Sequence, residues 1–318
     1  MIDNISNKEM LLTMRNRVRM RVTHIIGRFL IKHPIKGTNM LREQIVKLLA
    51  PIPYGPTIVP THYGFDALVD PTIDDGVEKS IYYFGTYEIG TLHIMRKCLK
   101  RADSFIDVGS NIGLMSLLAS QIVGKNGIVY SIEPEPEIFT ILQKNIKINN
   151  IDNIQTYNLA FGSERGNAII YRNLDLNRAS ASLIKPNQKN FDEREVIVQT
   201  LDEFIIKNNI SNVQMVKIDV EGWELEVLKG AKNFLSSPSS PIICIEYSKL
   251  HPIHKGQLLD IYNYILTTNN YKIFKLKKGK GRISKLIRIK DIVDLPFHDN
   301  LFCFLPSHLK ILPKNIFA

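Results

Sequence analysis

From residue 105 onward the chain alternates short apolar runs with longer segments of helical periodicity. The apolar runs are Phe105–Val108, Ile128–Glu133, Ile154–Leu159, Met215–Val220 and Ile242–Tyr247. Between them, Leu114–Val123, Glu135–Asn149, Thr200–Asn208 and Trp223–Leu235 return apolar residues at helical spacing. Short strands that are apolar without polar alternation are covered on both faces. The pattern therefore predicts an α/β fold: a parallel sheet with helices on both sides. Residues 168–199 break the alternation, and Ala168–Arg172 with Glu195–Gln199 predict a hairpin around the polar loop Asn173–Asp192. Near the end, Lys272–Leu276, the turn Lys277–Gly281 and Leu301–Leu305 predict a closing antiparallel pair.

Upstream of the alternation, Phe65–Val69 reads as a strand and Glu88 to Lys100 as a helix. Pro51, Pro53, Pro56 and Pro60 each block helix continuation and mark a linker. Residues 1–60 are thus expected to form a basic helical extension, and residues 61–318 one catalytic domain. In the extension, Val22, Ile25, Ile26, Phe29 and Leu30 share one helical face, with Arg15, Arg17, Arg19, Arg21, Arg28 and Lys32 around it. Such a helix either packs on the domain through that face or lies on an anionic membrane or glycolipid.

Charge sharpens this picture. The net charge of +10 is concentrated at +7 in residues 1–50 and +9 in residues 272–290, leaving a body of about −6. Neither basic patch interleaves the aromatics that stack on bases, so no specific nucleic-acid partner is expected. The three cysteines have no paired spacing, which suits a reducing compartment. No apolar run reaches a membrane-spanning length of roughly 18 residues, and no cleavable signal pattern opens the chain. The expected location is cytoplasmic, with peripheral contact at the inner membrane surface through the basic helix.

The candidate chemistry sits at the ends of the apolar runs. The first continues as Asp107-Val-Gly-Ser-Asn-Ile-Gly113, a strand ending in an acid, then a glycine turn and a helix. That layout lets a backbone approach a nucleoside at the carboxyl edge of a sheet. An acid before the first glycine would repel a diphosphate and suits a phosphate-free, cationic donor, which S-adenosylmethionine is. Glu133, ending the second run, is placed to accept the ribose diol, while Glu135 and Glu137 suit the start of the next helix. Asp219 and Glu221 lie two apart, so on an extended segment they project to one side of the ligand edge. Paired carboxylates there could hold or deprotonate an acceptor hydroxyl. His251, just past the fifth run, is a further candidate, and Glu246 a weaker one. No metal site is expected, although Asp219, Glu221 and Glu246 offer hard oxygen ligands. Two alternatives share these features: a nicotinamide-dependent oxidoreductase on a similar sheet, or a basic nucleic-acid-binding protein.

Taken together, Phe105–Gly113, Ile132-Glu133-Pro134 and Val216–Glu224 resemble the signature of FkbM-type S-adenosylmethionine-dependent methyltransferases. Gly85–Glu88, Thr200–Glu203, Leu228–Ala231 and Ile245–Tyr247 continue the likeness, which covers residues 65–305. The resemblance implies a class I, Rossmann-like methyltransferase fold with a mostly parallel seven-stranded sheet. It also implies O-methylation of a sugar or polyketide hydroxyl, and the acceptor expected here is a sugar in a glycan or glycolipid. Carried over to this chain, it places Gly109, Asn111 and Gly113 along the methionine and ribose portion, and Glu133 on the ribose. Glu88 falls at the amino-acid end, and Asn158 and Ala160 at the adenine edge. Trp223 stands where Phe is more usual, which should alter pocket shape rather than chemistry.

Overall fold

A computed structural model describes residues 13–32, 39–73, 76–173, 181–185, 190–249 and 257–318. Two helices, α1 (Met14–Lys32) and α2 (Asn39–Leu49), precede a strand pair, β1 (Thr57–Pro60) and β2 (Asp66–Val69). Helices α3 (Val77–Phe84) and α4 (Ile89–Cys98) lead into the alternating region. There follow β3 (Ser104–Val108), α5 (Leu114–Val123), β4 (Ile128–Ile132), α6 (Pro136–Ile148) and β5 (Ile154–Tyr157). An accessory three-stranded sheet is inserted next, from β6 (Ala160–Phe161), β7 (Gly166–Asn173) and β8 (Phe191–Gln199). The chain then runs through α7 (Leu201–Lys207), β9 (Val213–Ile218), α8 (Glu224–Lys229), α9 (Lys232–Ser236) and β10 (Ile242–Ser248). It closes with α10 (Gln257–Thr268), β11 (Lys272–Leu276), β12 (Leu286–Arg288), β13 (His298–Phe304) and α11 (Pro306–Ile311).

The main sheet has the order β12-β11-β13-β10-β9-β3-β4-β5. Strands β5, β4, β3, β9 and β10 are parallel, and β13 runs antiparallel to both β10 and β11. This is the anticipated seven-stranded arrangement with one short strand, β12, added at the edge. Successive side chains serve opposite faces. Phe105, Met215, Ile242, Cys244 and Phe302 enter the core under α4, α5 and α6. Ile106, Val216, Ile243, Ile245 and Leu301 enter the core under α7, α8, α9 and α10. Connections leave β3 and β9 in opposite directions along the sheet, so a crevice opens between their carboxyl ends, where open α/β sheets bind ligands.

The predicted hairpin forms with Ala168 opposite Val196 and Arg172 opposite Asp192, as part of the accessory sheet. Three boundaries moved, each for a physical reason. The Trp223–Leu235 helix is two helices, because Gly230 lies against the Gly162 carbonyl, where a Cβ would come within 2.0 Å of that oxygen. Pro60 closes β1, within a strand rather than a linker. Strand β9 stops at Ile218, so Asp219 and Glu221 lie on the following turn and not on extended chain.

Helix α1 packs on α3 and β1 through Met20, Thr23, His24 and Gly27, all buried. His24 Nε2 lies 2.8 Å from the Tyr82 carbonyl, and Gly27 gives close approach to Phe84. Val22, Ile25 and Phe29, the face the sequence offered for packing, point outward, while Ile26 and Leu30 are half-buried. Among the described residues no helix is long and apolar enough to cross a membrane.

Candidate active site

The carboxyl ends of β3 and β4 face those of β9 and β10 across a cleft of about 200 Å³. On the first side, Asp107 is buried at 1% exposure. Its Oδ2 accepts a 2.6 Å hydrogen bond from Ser116 Oγ, and its Oδ1 has no hydrogen-bond partner among the described residues. Burial pushes the Asp107 pKa up, against the nearby Lys217 charge.

The glycine turn beyond it is fixed by backbone contacts. Gly109 has φ 76°, and a Cβ there would lie 1.8 Å from the Asp219 carbonyl oxygen. The Gly109 and Ser110 amides both donate to the Ile132 carbonyl, and the Asp219 amide donates to Val108. The loop of one strand is thus locked to the end of another, and only glycine fits between. Asn111 adopts φ 52°, a left-handed conformation Asn tolerates. That conformation aims its amide at Glu133 Oε2, 2.8 Å away. Gly113, at φ 93°, gives clearance to Leu142.

Glu133 lines the cleft with both carboxyl oxygens engaged, since Oε1 accepts from the Glu135 amide at 3.0 Å. Burial pushes its pKa up to about 8, although both backbone amides oppose the shift. Each carboxyl oxygen keeps acceptor capacity for one further donor. Glu135 caps α6, accepting from the Ile138 amide at 2.7 Å. Ala160 lines the cleft, but Asn158 does not. The Asn158 amide is exposed and donates to the Glu133 and Pro134 carbonyls, both at 2.9 Å, so it braces the loop rather than facing a ligand.

Across the cleft, Asp219 Oδ2 is 2.7 Å from Lys217 Nζ. Lys217 is an inward-facing lysine in an apolar strand. Burial alone would lower its pKa, but the charges of Asp219 and Asp107 carry it well above the ordinary value. Burial would raise the Asp219 pKa, but the same ion pair, with Lys280, brings it below the usual carboxylate range.

Glu246 also lines the cleft, and burial and the Asp219 charge push its pKa well up. Lys280 Nζ contacts it at 2.7 Å and pairs with Glu88 Oε1 at 2.8 Å, the latter without hydrogen-bond geometry. Lys280 arrives from the β11–β12 turn, whose backbone is tied to α4 by the Gly90 amide donating to the Lys280 carbonyl at 2.9 Å. Glu88 itself is buried behind the cleft, where Asn300 Nδ2 donates to its Oε2 at 2.7 Å; its neighbour Tyr87 is the residue that lines it. Carboxylate oxygens of Glu88, Asp219 and Glu246 lie within 4.8 Å of one another, and the Lys280 ammonium contacts two of the three.

Glu221 takes φ 51° on the turn, and its carbonyl accepts from Ser182 Oγ at 2.7 Å. The projection expected of Asp219 and Glu221 as strand neighbours therefore does not arise. Both still line the cleft, together with Trp223, whose half-buried indole Nε1 has no hydrogen-bond partner among the described residues. Glu224 holds the turn shut, accepting from the Val220 and Gly222 amides at 3.0 and 3.1 Å. His251 lies outside the described residues, as do Arg178 and Ser180 of the polar loop. His298, absent from the sequence reading, has Nδ1 3.9 Å from Glu246 Oε1.

Lys217, Lys280, His298 and Glu224 escaped the sequence reading. A signal existed for Lys217, because a lysine inside an apolar strand needs a buried partner. None existed for Lys280, which looked like an ordinary residue of a glycine turn. Among the described residues lining the cleft, Asp107, Glu133, Asp219, Glu221 and Glu246 stand against the single cation Lys217. The open Asp107 Oδ1 and the spare capacity of Glu133 offer acceptors to a donor's ammonium and ribose diol, whereas Lys217, already paired with Asp219, offers little to a diphosphate.

Comparison with known proteins agrees. Residues 107–273 match the methyltransferase FkbM domain, and residues 33–163 match protein-L-isoaspartate(D-aspartate) O-methyltransferase. Methyltransferase 1 of Beauveria bassiana is 29% identical over 150 residues, covering 40% of this chain and 58% of that protein. The hexuronic acid methyltransferase AglP of Haloferax volcanii is 29% identical over 168 residues, covering 48% of this chain and 62% of that protein. The chain thus spans about three-fifths of the length of these relatives. Among solved structures, Aeropyrum pernix fibrillarin with bound S-adenosyl-L-methionine aligns at TM-score 0.39 and 12% identity, over 80% of this chain and 84% of that one. With over half of its length matched by the FkbM domain, the chain belongs to the FkbM family of S-adenosylmethionine-dependent methyltransferases.

Proposed function

We propose that the protein transfers a methyl group from S-adenosylmethionine to a hydroxyl of a sugar, free or in a glycan or glycolipid. The observation that carries this reading is the acid-rich cleft with Trp223 on its wall. Carboxylates on the acceptor side disfavour an anionic acceptor group at the reacting position, whereas a neutral hydroxyl can donate to them. An aromatic face beside hydrogen-bonding acids is also suited to a sugar ring. The likeness to a hexuronic acid methyltransferase supports a carbohydrate acceptor.

When bound, the donor supplies a methyl on a sulfonium, and the rate depends chiefly on alignment of donor and acceptor. Glu133 and the Asn111 loop hold the ribose, Ala160 borders the base, and Asp107 receives the donor's ammonium directly or through water. Glu88 acts from behind, fixing Lys280 rather than touching the ligand. Asp219, kept ionised by Lys217, accepts a hydrogen bond from the acceptor hydroxyl and orients it. Asp219, the cleft carboxylate that stays ionised, also takes the proton as the oxygen loses it, while Glu246, holding its own proton, borders the acceptor as a donor. Glu221 and Ser182 border the acceptor at the rim.

The test is incubation with methyl-labelled S-adenosylmethionine and a panel of neutral hexoses, hexuronic acids and their glycolipids. Alkali-stable labelled ethers are expected. Alkali-labile esters would move the reaction from hydroxyl to carboxylate. Tight binding of S-adenosylhomocysteine with label transferred only to acceptors other than sugars would overturn the carbohydrate reading alone.

A further inference from the structure

The outward face of α1 is unlike the rest of the surface. Met14, Val18, Val22, Ile25 and Phe29 follow one another at spacings of four, four, three and four, which is one stripe along a helix. Each is between 48% and 85% exposed. The stripe runs for roughly 22 Å at the helical rise. Arg19 reaches the carbonyls of Leu48 and Leu49, which brings the end of α2 beside the middle of α1. Leu48 and Ile52 there are 80% and 87% exposed. Among the described residues, nine of the twenty large hydrophobic side chains that are exposed fall within residues 14–54, a small part of the chain. Scattered apolar residues need no explanation, but a concentrated patch marks an interaction surface.

Helix α1 contains no acid. Arg15, Arg21 and Arg28 are exposed on it, while Arg17 is occupied by Asp66. The stability of the helix does not depend on the stripe, because its packing uses the opposite side, Met20, Thr23, His24 and Gly27. An apolar band bordered by arginines and anchored from behind matches the boundary between acyl chains and anionic headgroups. A second copy of the chain is a poorer partner, since a symmetric contact would bring these arginine sets together.

We infer that the outward face of α1, with the end of α2, docks on an anionic lipid bilayer. The docking face is joined to the cleft through one element. Helix α1 packs on α3, and Gly76 and Val77 at the start of α3 line the cleft. A docked protein would work next to the bilayer, where a glycolipid acceptor would be found. The inference does not depend on the acceptor, because none of the residues of the docking face lines the cleft.

The test is flotation of the full chain with vesicles of phosphatidylcholine alone, or with about a third phosphatidylglycerol. Binding is expected to the anionic vesicles, weakening as salt rises. Val18→Asp with Ile25→Asp, and separately Arg15→Glu with Arg21→Glu, should each lower partitioning more than about tenfold. The positions are exposed, so the melting temperature and S-adenosylhomocysteine affinity of both variants should match the parent. The inference is overturned if the parent stays unbound at low salt, or if it binds neutral vesicles equally. It is also overturned if the stripe variant floats like the parent. If light scattering shows the parent dimeric and the stripe variant monomeric, the face is a self-association surface instead.

Discussion

The two sides of the cleft hold their acids by different means. On the β3–β4 side, Asp107 and Glu133 are restrained by the Ser116 hydroxyl and by the amides of Asn111 and Glu135. On the β9–β10 side, Asp219 and Glu246 are each in contact with a buried lysine, Lys217 or Lys280. Neutral partners fix a carboxyl's position while leaving its proton affinity high, as the raised pKa of Glu133 shows. A lysine keeps Asp219 charged. The difference suits the proposed division of labour: the first side holds a ligand by shape and hydrogen bonds, and the second manages charge during a reaction.

The largest effect that could break this comparison belongs to Asp219→Asn. Turnover should fall roughly 100-fold or more, as for loss of a group that acts in the transition state. Affinity for S-adenosylhomocysteine, measured by calorimetry, should change less than about threefold. The variant should also lose on the order of 3 kcal/mol of stability, because Lys217 is left buried without its partner. Equal losses in affinity and turnover would erase the distinction between the two sides.

A smaller effect is expected from Glu133→Gln, which should weaken cofactor binding about tenfold through a lost carboxyl acceptor for the ribose diol. It should also change how stability depends on pH. The folded pKa of Glu133, about 8, lies above the ordinary carboxyl value of 4.5. Between those values the folded chain holds a proton that the unfolded chain releases. The stabilisation is therefore fully present below about pH 4.5 and lost as pH rises through 8. The parent's melting temperature should fall by roughly 5 °C across that window from this group, and the variant should lack the slope. An unchanged slope would show that Glu133 ionises freely.

The smallest effect is Lys280→Met, which should cost about 2 kcal/mol at pH 8 and less at pH 5. Without the ammonium, Glu246 keeps its proton to still higher pH in the folded chain, so its stabilising contribution is again lost as pH rises. Denaturant melts at the two values measure the difference. A deficit independent of pH would mean that Lys280 contributes packing rather than charge.

The same contrast runs through what could be read in advance. The glycine turn, Glu133 and the alternation of strands and helices were legible because the interactions that set them are short in sequence or repeat with a fixed period. Asp107-Val-Gly109 and Ser110–Gly113 carry their own turn geometry, and Thr200 with Glu203 forms a capping box within one turn of helix. Asp219 and Glu221 were recognised as cleft residues, but on a mistaken geometry. Where β9 stops is decided by the Gly109 contact with the Asp219 carbonyl, which joins two distant segments. Asn158 was assigned by its place after a strand, and its side chain turned instead to carbonyls of a neighbouring loop.

By itself, then, the sequence determined the layered sheet, its ligand edge, the acid character of the cleft and the family. Periodicity, turn chemistry and charge are all properties of local stretches. Only the tertiary structure decided which acids carry lysines, because Lys280 reaches Glu246 and Glu88 from a turn that pairs with other strands and packs on α4. It also decided which face of α1 is buried. A helical stripe of apolar residues says that a face exists; whether it turns inward depends on His24 and Gly27 fitting α3 better than Val22 and Ile25 could. Contacts between remote segments are selected by packing and desolvation summed over the whole fold, and no short stretch of chain encodes that sum.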